Sequence, residues 1–155
     1  MKQYLVAIPM VIIFILLFTS VAVAEYSPSQ AMYHLMKDYY SAEQYKLTIE
    51  TGNDYCVVYP NGLELFDVYM LMADSYSQLF KYKEVIQTYK ALLTDLPDNP
   101  NCGDVYTHLG DTYARIDDDI NAIQIYIFIV ENYSDTVYSD YATGQLLNIY
   151  GIVFN

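Results

Sequence analysis

Two histidines, His34 and His108, are the only imidazole groups in this 155-residue sequence, and imidazole is a common group in acid–base and metal chemistry. They lie 108 − 34 = 74 residues apart, which is twice a 37-residue spacing that recurs among other residues. Stacked helical hairpins advance by roughly 10 Å per unit, so the two rings should be too far apart to share a metal ion or a proton. We therefore predict that both histidines lie on helix faces and that neither is catalytic.

The other candidate groups do not form a reactive set either. Asp117-Asp118-Asp119 lacks the alternation, the glycine and the distal glutamate of an EF-hand loop, so we predict a turn followed by a helix whose N-terminal end these acids stabilise. The spacing of Cys56 and Cys102 fits no zinc pattern, and we predict two unpaired thiols. No glycine-rich phosphate loop, nucleophile elbow or H-E-x-x-H motif is present. The sequence therefore predicts no catalytic residue, no metal site and no cofactor, and so a protein that is not an enzyme.

The composition is that of a folded and strongly acidic protein. Hydrophobic residues make up 54% of the chain and charged residues 17%, which is too apolar for a disordered chain. Acidic residues outnumber basic ones 19 to 7, and the formal charge of −12 repels nucleic-acid phosphates. We therefore predict one folded domain that does not bind nucleic acid.

Residues 1–24 have the pattern of a secretory signal peptide. A lysine precedes the apolar run 5–18, and Ala22-Val23-Ala24 ends the segment as a small-residue cleavage site. Cleavage there leaves residues 25–155 as an exported domain, in the periplasm or outside the cell. The alternative is an uncleaved membrane anchor, because residues 4–24 are long and apolar enough to span a bilayer.

Several residue types recur with a step of 37 residues, as in 76 − 39 = 37. One column of this register is tyrosine, a second is large and apolar, and a third contains helix-ending triplets. The columns are Tyr39, Tyr76, Tyr113 and Tyr150; Leu35, Met72, Leu109 and Leu146; and the triplets that begin at Tyr59, Leu96 and Tyr133. Agreement of several columns in one phase indicates a structural repeat, and apolar residues at helical spacing inside each unit indicate a helical hairpin.

Local signals both support and oppose this helical register. Ser27-Pro28-Ser29-Gln30 predicts a capped helix start, and Asn61-Gly62-Leu63-Glu64 has the same form. The alternating isoleucines at 123–129 suggest a strand, but the repeat register predicts a helix there. Gly52-Asn53-Asp54 falls inside the second helix of the first unit, and we predict that it frays or breaks this helix.

The repeat unit resembles the tetratricopeptide repeat. The residues that carry the resemblance are Leu109-Gly110-x-x-Tyr113, Ala122 and Tyr126 in one unit, and Met72-Ala73-x-x-Tyr76, Tyr82, Tyr89 and Pro97 in another. It implies an all-α, tetratricopeptide-like α-solenoid of about three helical hairpins and a final helix, with units at about 29–65, 66–102, 103–139 and, in part, 140–155. Residues that depart from the family pattern, and that are expected to disturb the packing of the first unit, are Met36, Thr48, Gly52 and Tyr55.

In tetratricopeptide proteins the first helices of successive units line a concave groove that binds peptides. The resemblance assigns to this groove Tyr33, Lys37, Tyr40, Asp67, Met70, Asp74, Asp104, Thr107, Asp111, Arg115 and Asn148. The heptad spacing of Asp67 with Asp74, and of Asp104 with Asp111, predicts four carboxylates on one face. We therefore expect a basic partner segment, with an ordinary solvated acidic helix face as the alternative.

The expected function is that of an exported, non-enzymatic protein-interaction or scaffold module. The long repeat step and the helix-ending triplets are similar to the long steps and Tyr-Pro-Asp endings of envelope proteins such as outer-membrane assembly lipoproteins and the Tol-Pal accessory protein. The alternative is a structural subunit that assembles with itself, or a membrane-anchored assembly subunit if the N-terminal segment stays uncleaved. The final helix, predicted at about 138–154, is too apolar for a terminal repeat in water. We therefore expect that the chain is a fragment of a longer repeat array, or that this end packs on a partner or on a second copy of the chain.

Overall fold

The chain forms seven α-helices in a computed structural model that describes residues 26–151, and no strand occurs within that range. The helices are α1 (Pro28–Ser41), α2 (Tyr45–Val58), α3 (Leu65–Gln78), α4 (Tyr82–Asp95), α5 (Cys102–Arg115), α6 (Asp119–Asn132) and α7 (Val137–Ile149). This confirms the all-helical prediction, including a helix over the alternating isoleucines, which lie in α6. The predicted signal segment 1–24 lies outside the described residues.

Helix boundaries follow the local signals at most positions. Ser27 forms the predicted capping box: its hydroxyl accepts from the Gln30 N–H, and the Gln30 side chain accepts from the Ser27 N–H. The three helix-ending triplets are confirmed, because α2, α4 and α6 have their C-caps at Tyr59, Leu96 and Tyr133. Asp118 caps α6 by accepting from the Asn121 N–H, as the acidic turn predicted.

The helix start predicted at Asn61 is wrong. The N-cap of α3 is Glu64, and its side chain makes no capping bond. Gly62 donates to the Tyr59 carbonyl and accepts from the Leu65 N–H, so residues 59–65 form successive turns before the helix begins. Glu64 instead accepts a 2.7 Å hydrogen bond from the Tyr55 hydroxyl, which fixes this segment against α2.

The prediction that Gly52-Asn53-Asp54 interrupts the second helix is also wrong, because α2 is continuous from Tyr45 to Val58. A β-carbon at Gly52 would lie 2.9 Å from Met36 Cε and 2.5 Å from Met72 Cγ. The glycine therefore lets α1 and α3 pack closely on α2, and this packing offsets its low helix propensity.

The first unit is packed as fully as the others, contrary to the expectation that its unusual residues disturb it. Met36, Thr48 and Tyr55 are each 0% exposed. The Thr48 hydroxyl donates to the Gln44 carbonyl, and the Tyr55 hydroxyl has Glu64 as its acceptor, so burial leaves neither group unpaired.

Each helix packs against the next one along the chain, and a single core runs through the stack. Contacts between helices that are two apart in the chain differ along the stack. α1 contacts α3 and α5 contacts α7, whereas α3 and α5 have no Cα atoms within 8 Å of each other. The described helices therefore leave a gap between α3 and α5, with α4 beneath it.

The final helix is shorter than the predicted range of about 138–154. It ends at Ile149, and Gly151 adopts a φ of +67° that does not continue a helix. Residues 152–154 lie outside the described part. Within 26–151, no helix has the length and apolar character needed to cross a membrane.

Candidate functional site: an acidic cleft between α3 and α5

The gap between α3 and α5 is an open cleft of about 520 Å³. Its walls come from these two helices, its floor from α4, and one end from α1. The lining residues are Tyr33, Asp67, Met70, Leu71, Asp74, Ser77, Tyr82, Val85, Tyr89, His108, Asp111, Thr112 and Arg115. We call this cavity the acidic cleft, because three carboxylates line it against one guanidinium.

Six of the predicted groove residues line the acidic cleft, namely Tyr33, Asp67, Met70, Asp74, Asp111 and Arg115. Lys37 and Tyr40 lie beside it. The Lys37 Nζ is 5.4 Å from the centre of the Tyr33 ring, and the Tyr40 hydroxyl donates to Asp74 Oδ2 at 2.8 Å.

The remaining three predicted groove residues lie away from the cleft. Asp104 lies near Tyr138 of α7, where burial and then this carboxylate raise the pKa of the tyrosine. Thr107 donates its hydroxyl to the Gly103 carbonyl, and Asn148 is exposed on α7. Because α7 packs directly on α5, the first turn of α5 faces α7 rather than the open gap. Three of the four predicted carboxylates therefore line the cleft, and Asp104 does not.

Sequence reasoning missed the floor of the cleft and much of its walls. The resemblance placed the groove on first helices only, whereas Tyr82, Val85 and Tyr89 of the second helix α4 become accessible where α3 and α5 separate. Leu71, Ser77, His108 and Thr112 are on the expected helices at positions that were not assigned. The sequence does contain one signal for the floor, because Tyr89 and Tyr126 are one repeat step apart (126 − 89 = 37) and so occupy equivalent positions on second helices.

Tyrosine hydroxyls fix the orientation of two cleft carboxylates. Asp111 accepts from Tyr126 at 2.7 Å and from Tyr141, whose hydroxyl lies 3.0 Å from Oδ1 and 2.9 Å from Oδ2. Asp74 accepts from Tyr40 of α1. Each bond joins neighbouring helices, so these carboxylates are both part of the packing and part of the cleft surface.

Tyr89 lies on the floor of the cleft. Its side chain is 7% exposed, and its ring stacks on His108 with centroids 6.0 Å apart and an angle of 15°. Burial, followed by the charges of Asp74 and Asp111, raises the pKa of Tyr89 to about 12. The hydroxyl therefore stays protonated at neutral pH while it lies near two carboxylates.

The candidate reactive groups named in the sequence are the two histidines and the two cysteines, and the structure shows the surroundings of each. His34 contacts the Tyr26 ring, with centroids 4.1 Å apart, and His108 is on the wall of the cleft. Cys56 and Cys102 are unpaired thiols, as predicted, and burial raises the pKa of both. A raised pKa disfavours the nucleophilic thiolate. Among the described residues no group of three His, Cys, Asp or Glu side chains could hold a metal ion.

In comparisons with known proteins, no family model and no curated protein sequence matched the chain.

Proposed function

We propose that this chain is an exported, non-enzymatic interaction module of the tetratricopeptide type, and that its acidic cleft receives an extended segment of a partner protein. The 37-residue register, the three helical hairpins and the final helix support a repeat stack. The pattern of residues 1–24 supports export, most simply to a bacterial envelope.

One observation carries the proposal: the stack opens between α3 and α5, and four helices line the cavity that results. Tyrosines and a methionine give this cavity apolar contact area, and its carboxylates provide polar contacts that fix the register of a bound chain. Such a mixture of aromatic surface with a few placed polar groups suits peptide binding better than catalysis, which needs converging acid, base or nucleophile.

Site-specific photo-crosslinking tests this function. A photo-reactive amino acid at Ser77, which is half-buried on the cleft wall, should capture a discrete partner when the chain is expressed in its native envelope. The same group at the exposed Glu50 of α2 should not capture that partner. Identical capture from both positions, or none from Ser77, would sink the proposed role of the cleft.

Self-assembly through α7 is the second candidate function. Only Ala142 of this helix is buried, while Val137 is 75% exposed and Tyr141 is 40% exposed. An exposed apolar helix face is typical of a contact with another protein, here a second copy of the chain. In that case the Ser77 cross-link would join two copies of this chain or be absent, and the mass measured by light scattering would rise with concentration.

A further inference from the structure

The floor of the acidic cleft contains a polar group that no other described residue pairs with. Tyr89 is more than nine-tenths buried, lines the cleft and makes no hydrogen bond to a partner in residues 26–151. Tyr126, one 37-residue step later, donates its hydroxyl to Asp111 at 2.7 Å. No buried side-chain oxygen or nitrogen among the described residues lacks a hydrogen-bond partner, so the unpaired Tyr89 oxygen is open to the cleft, where it is a free donor and acceptor.

The carboxylates beside this hydroxyl keep acceptor capacity for a ligand. Asp74 accepts one hydrogen bond, from Tyr40, and Asp111 accepts from Tyr126 and Tyr141. A carboxylate offers about four lone-pair sites, so both groups can accept further bonds from a cation. Their orientation is already fixed by the tyrosines, which reduces the entropy lost when a ligand binds.

We propose that the acidic cleft binds the side-chain ammonium of a lysine in a partner segment, with Asp74, Asp111 and the Tyr89 hydroxyl as its acceptors. This inference rests on the proposed function, since the lysine belongs to the segment that the cleft receives. An ammonium carries three donors and no acceptor, which suits three acceptors that line one cavity.

Lysine fits this site better than arginine. A guanidinium binds a carboxylate best as a planar fork that engages both oxygens, but the Tyr141 hydroxyl already contacts both oxygens of Asp111. The rim also has its own guanidinium, because Arg115 lines the cleft with its Cζ 5.8 Å from the centre of the Tyr82 ring. Arg115 repels either cation, but a compact ammonium needs only one free lone pair on each acceptor and takes up less room beside the guanidinium.

Titration of the purified protein with a short blocked peptide that contains one central lysine tests the inference. The peptide should bind, and ε-acetylation of its lysine should abolish binding because the charge and two donors are removed. Tyr89→Phe and Asp74→Asn should each weaken binding about tenfold, which is typical of a lost hydrogen bond to a charged group. Two variants are used because Asp74 also holds Tyr40, whereas Tyr89→Phe keeps the ring that packs on His108.

Asp117→Asn is the matched control, since it removes the same charge at an exposed turn whose φ of 60° asparagine tolerates. It should leave the affinity unchanged, and a loss equal to that of Asp74→Asn would overturn the inference in favour of net charge alone. Equal binding of an arginine peptide, of the acetylated peptide or of free spermidine would overturn it too. If the Ser77 cross-link finds a partner but binding does not depend on lysine, this inference fails and the proposed function stands. If Ser77 captures nothing, the proposed function itself fails.

Discussion

Packing between the two helices of a unit depends on one large and one small residue that meet. In the first unit Met36 on the first helix covers Gly52 on the second, where an added β-carbon would lie 2.9 Å from Met36 Cε. In the third unit the sizes are exchanged: Tyr126 on the second helix covers Gly110 on the first, with a corresponding distance of 2.6 Å. The two pairs occupy the same register, because 110 − 36 = 74 and 126 − 52 = 74. Each crossing thus combines one large and one small residue, although the helix that carries the large residue is exchanged.

Gly110→Ala should therefore destabilise the protein, although alanine is the better helix former. The helix-propensity gain is about 1 kcal/mol, while overpacking against the rigid Tyr126 ring costs about 1–3 kcal/mol, so we expect a net loss in urea unfolding. Gly144→Ala in α7 is the control, because nothing lies within 4 Å of its added β-carbon and it should raise stability by about 0.5–1 kcal/mol. A gain in both variants would mean that Tyr126 yields easily.

The turn inside each hairpin is built in the same way in all three units. One residue there has positive φ, and the N–H that follows it donates to a carbonyl five residues earlier, which is the Schellman arrangement. The positive-φ residues are Glu43, Phe80 and Asp117, and the acceptors are the carbonyls of Tyr39, Tyr76 and Tyr113 at 2.9, 2.9 and 3.0 Å. The tyrosine column in the sequence thus marks the last turn of each first helix.

Phe80→Gly should stabilise the protein by about 1 kcal/mol, because a bulky L-residue in the left-handed region is strained and glycine is not. Phe80 has a φ of 58° and is 79% exposed, so little buried area is lost. Thermal unfolding followed by circular dichroism measures the change. Asp117→Gly at the equivalent turn should gain less, since aspartate tolerates this conformation better. A lower melting temperature for Phe80→Gly would show that the aromatic side chain contributes contacts that outweigh its strain.

The sequence predicts that the helices exist more reliably than it predicts where each one starts or whether it is interrupted. Helical register and the helix-ending triplets depend on residues close in the chain, and these predictions are confirmed. Gly52 was misjudged because its effect depends on Met36 and Met72, which lie on two other helices. The predicted start of α3 is wrong because the Glu64 carboxylate accepts a hydrogen bond from the Tyr55 hydroxyl and does not form a capping box. Local propensity is overridden where a tertiary contact is stronger.

At the scale of the whole molecule, a regular sequence register coexists with an irregular stack. Each of the three complete units has two helices of 14 residues. The first helix α1 contacts α3, and α5 contacts α7, but α3 and α5 do not contact each other. A repeat period indicates which helices follow one another and not how far apart they pack. The acidic cleft follows from that spacing, so its aromatic floor could not be derived from the period alone.

Tyrosine–carboxylate pairs distributed over the molecule should make it lose stability in alkali. The pKa of Tyr40 and of Tyr55 is raised to about 12 by burial and then by hydrogen bonding to Asp74 and Glu64, and that of Tyr89 is raised to about 12. The unfolded chain releases these protons near pH 10, whereas the folded chain keeps them until about pH 12. Between these values the unfolded state binds fewer protons, so the free energy of unfolding falls as pH rises, and the contribution is complete below pH 10.

Tyr89→Phe should flatten this loss of stability between pH 10 and about 12, because the variant keeps the buried ring but has no proton whose release favours unfolding. Urea unfolding at a series of pH values, followed by circular dichroism, gives the slope for each protein. Tyr150→Phe is the matched control, since it removes a hydroxyl from a side chain that is 59% exposed, and its slope should equal that of the unchanged protein. An equal flattening in both variants would mean that total tyrosine content sets the alkaline limit, and Tyr89 would then have no special position between the cleft carboxylates.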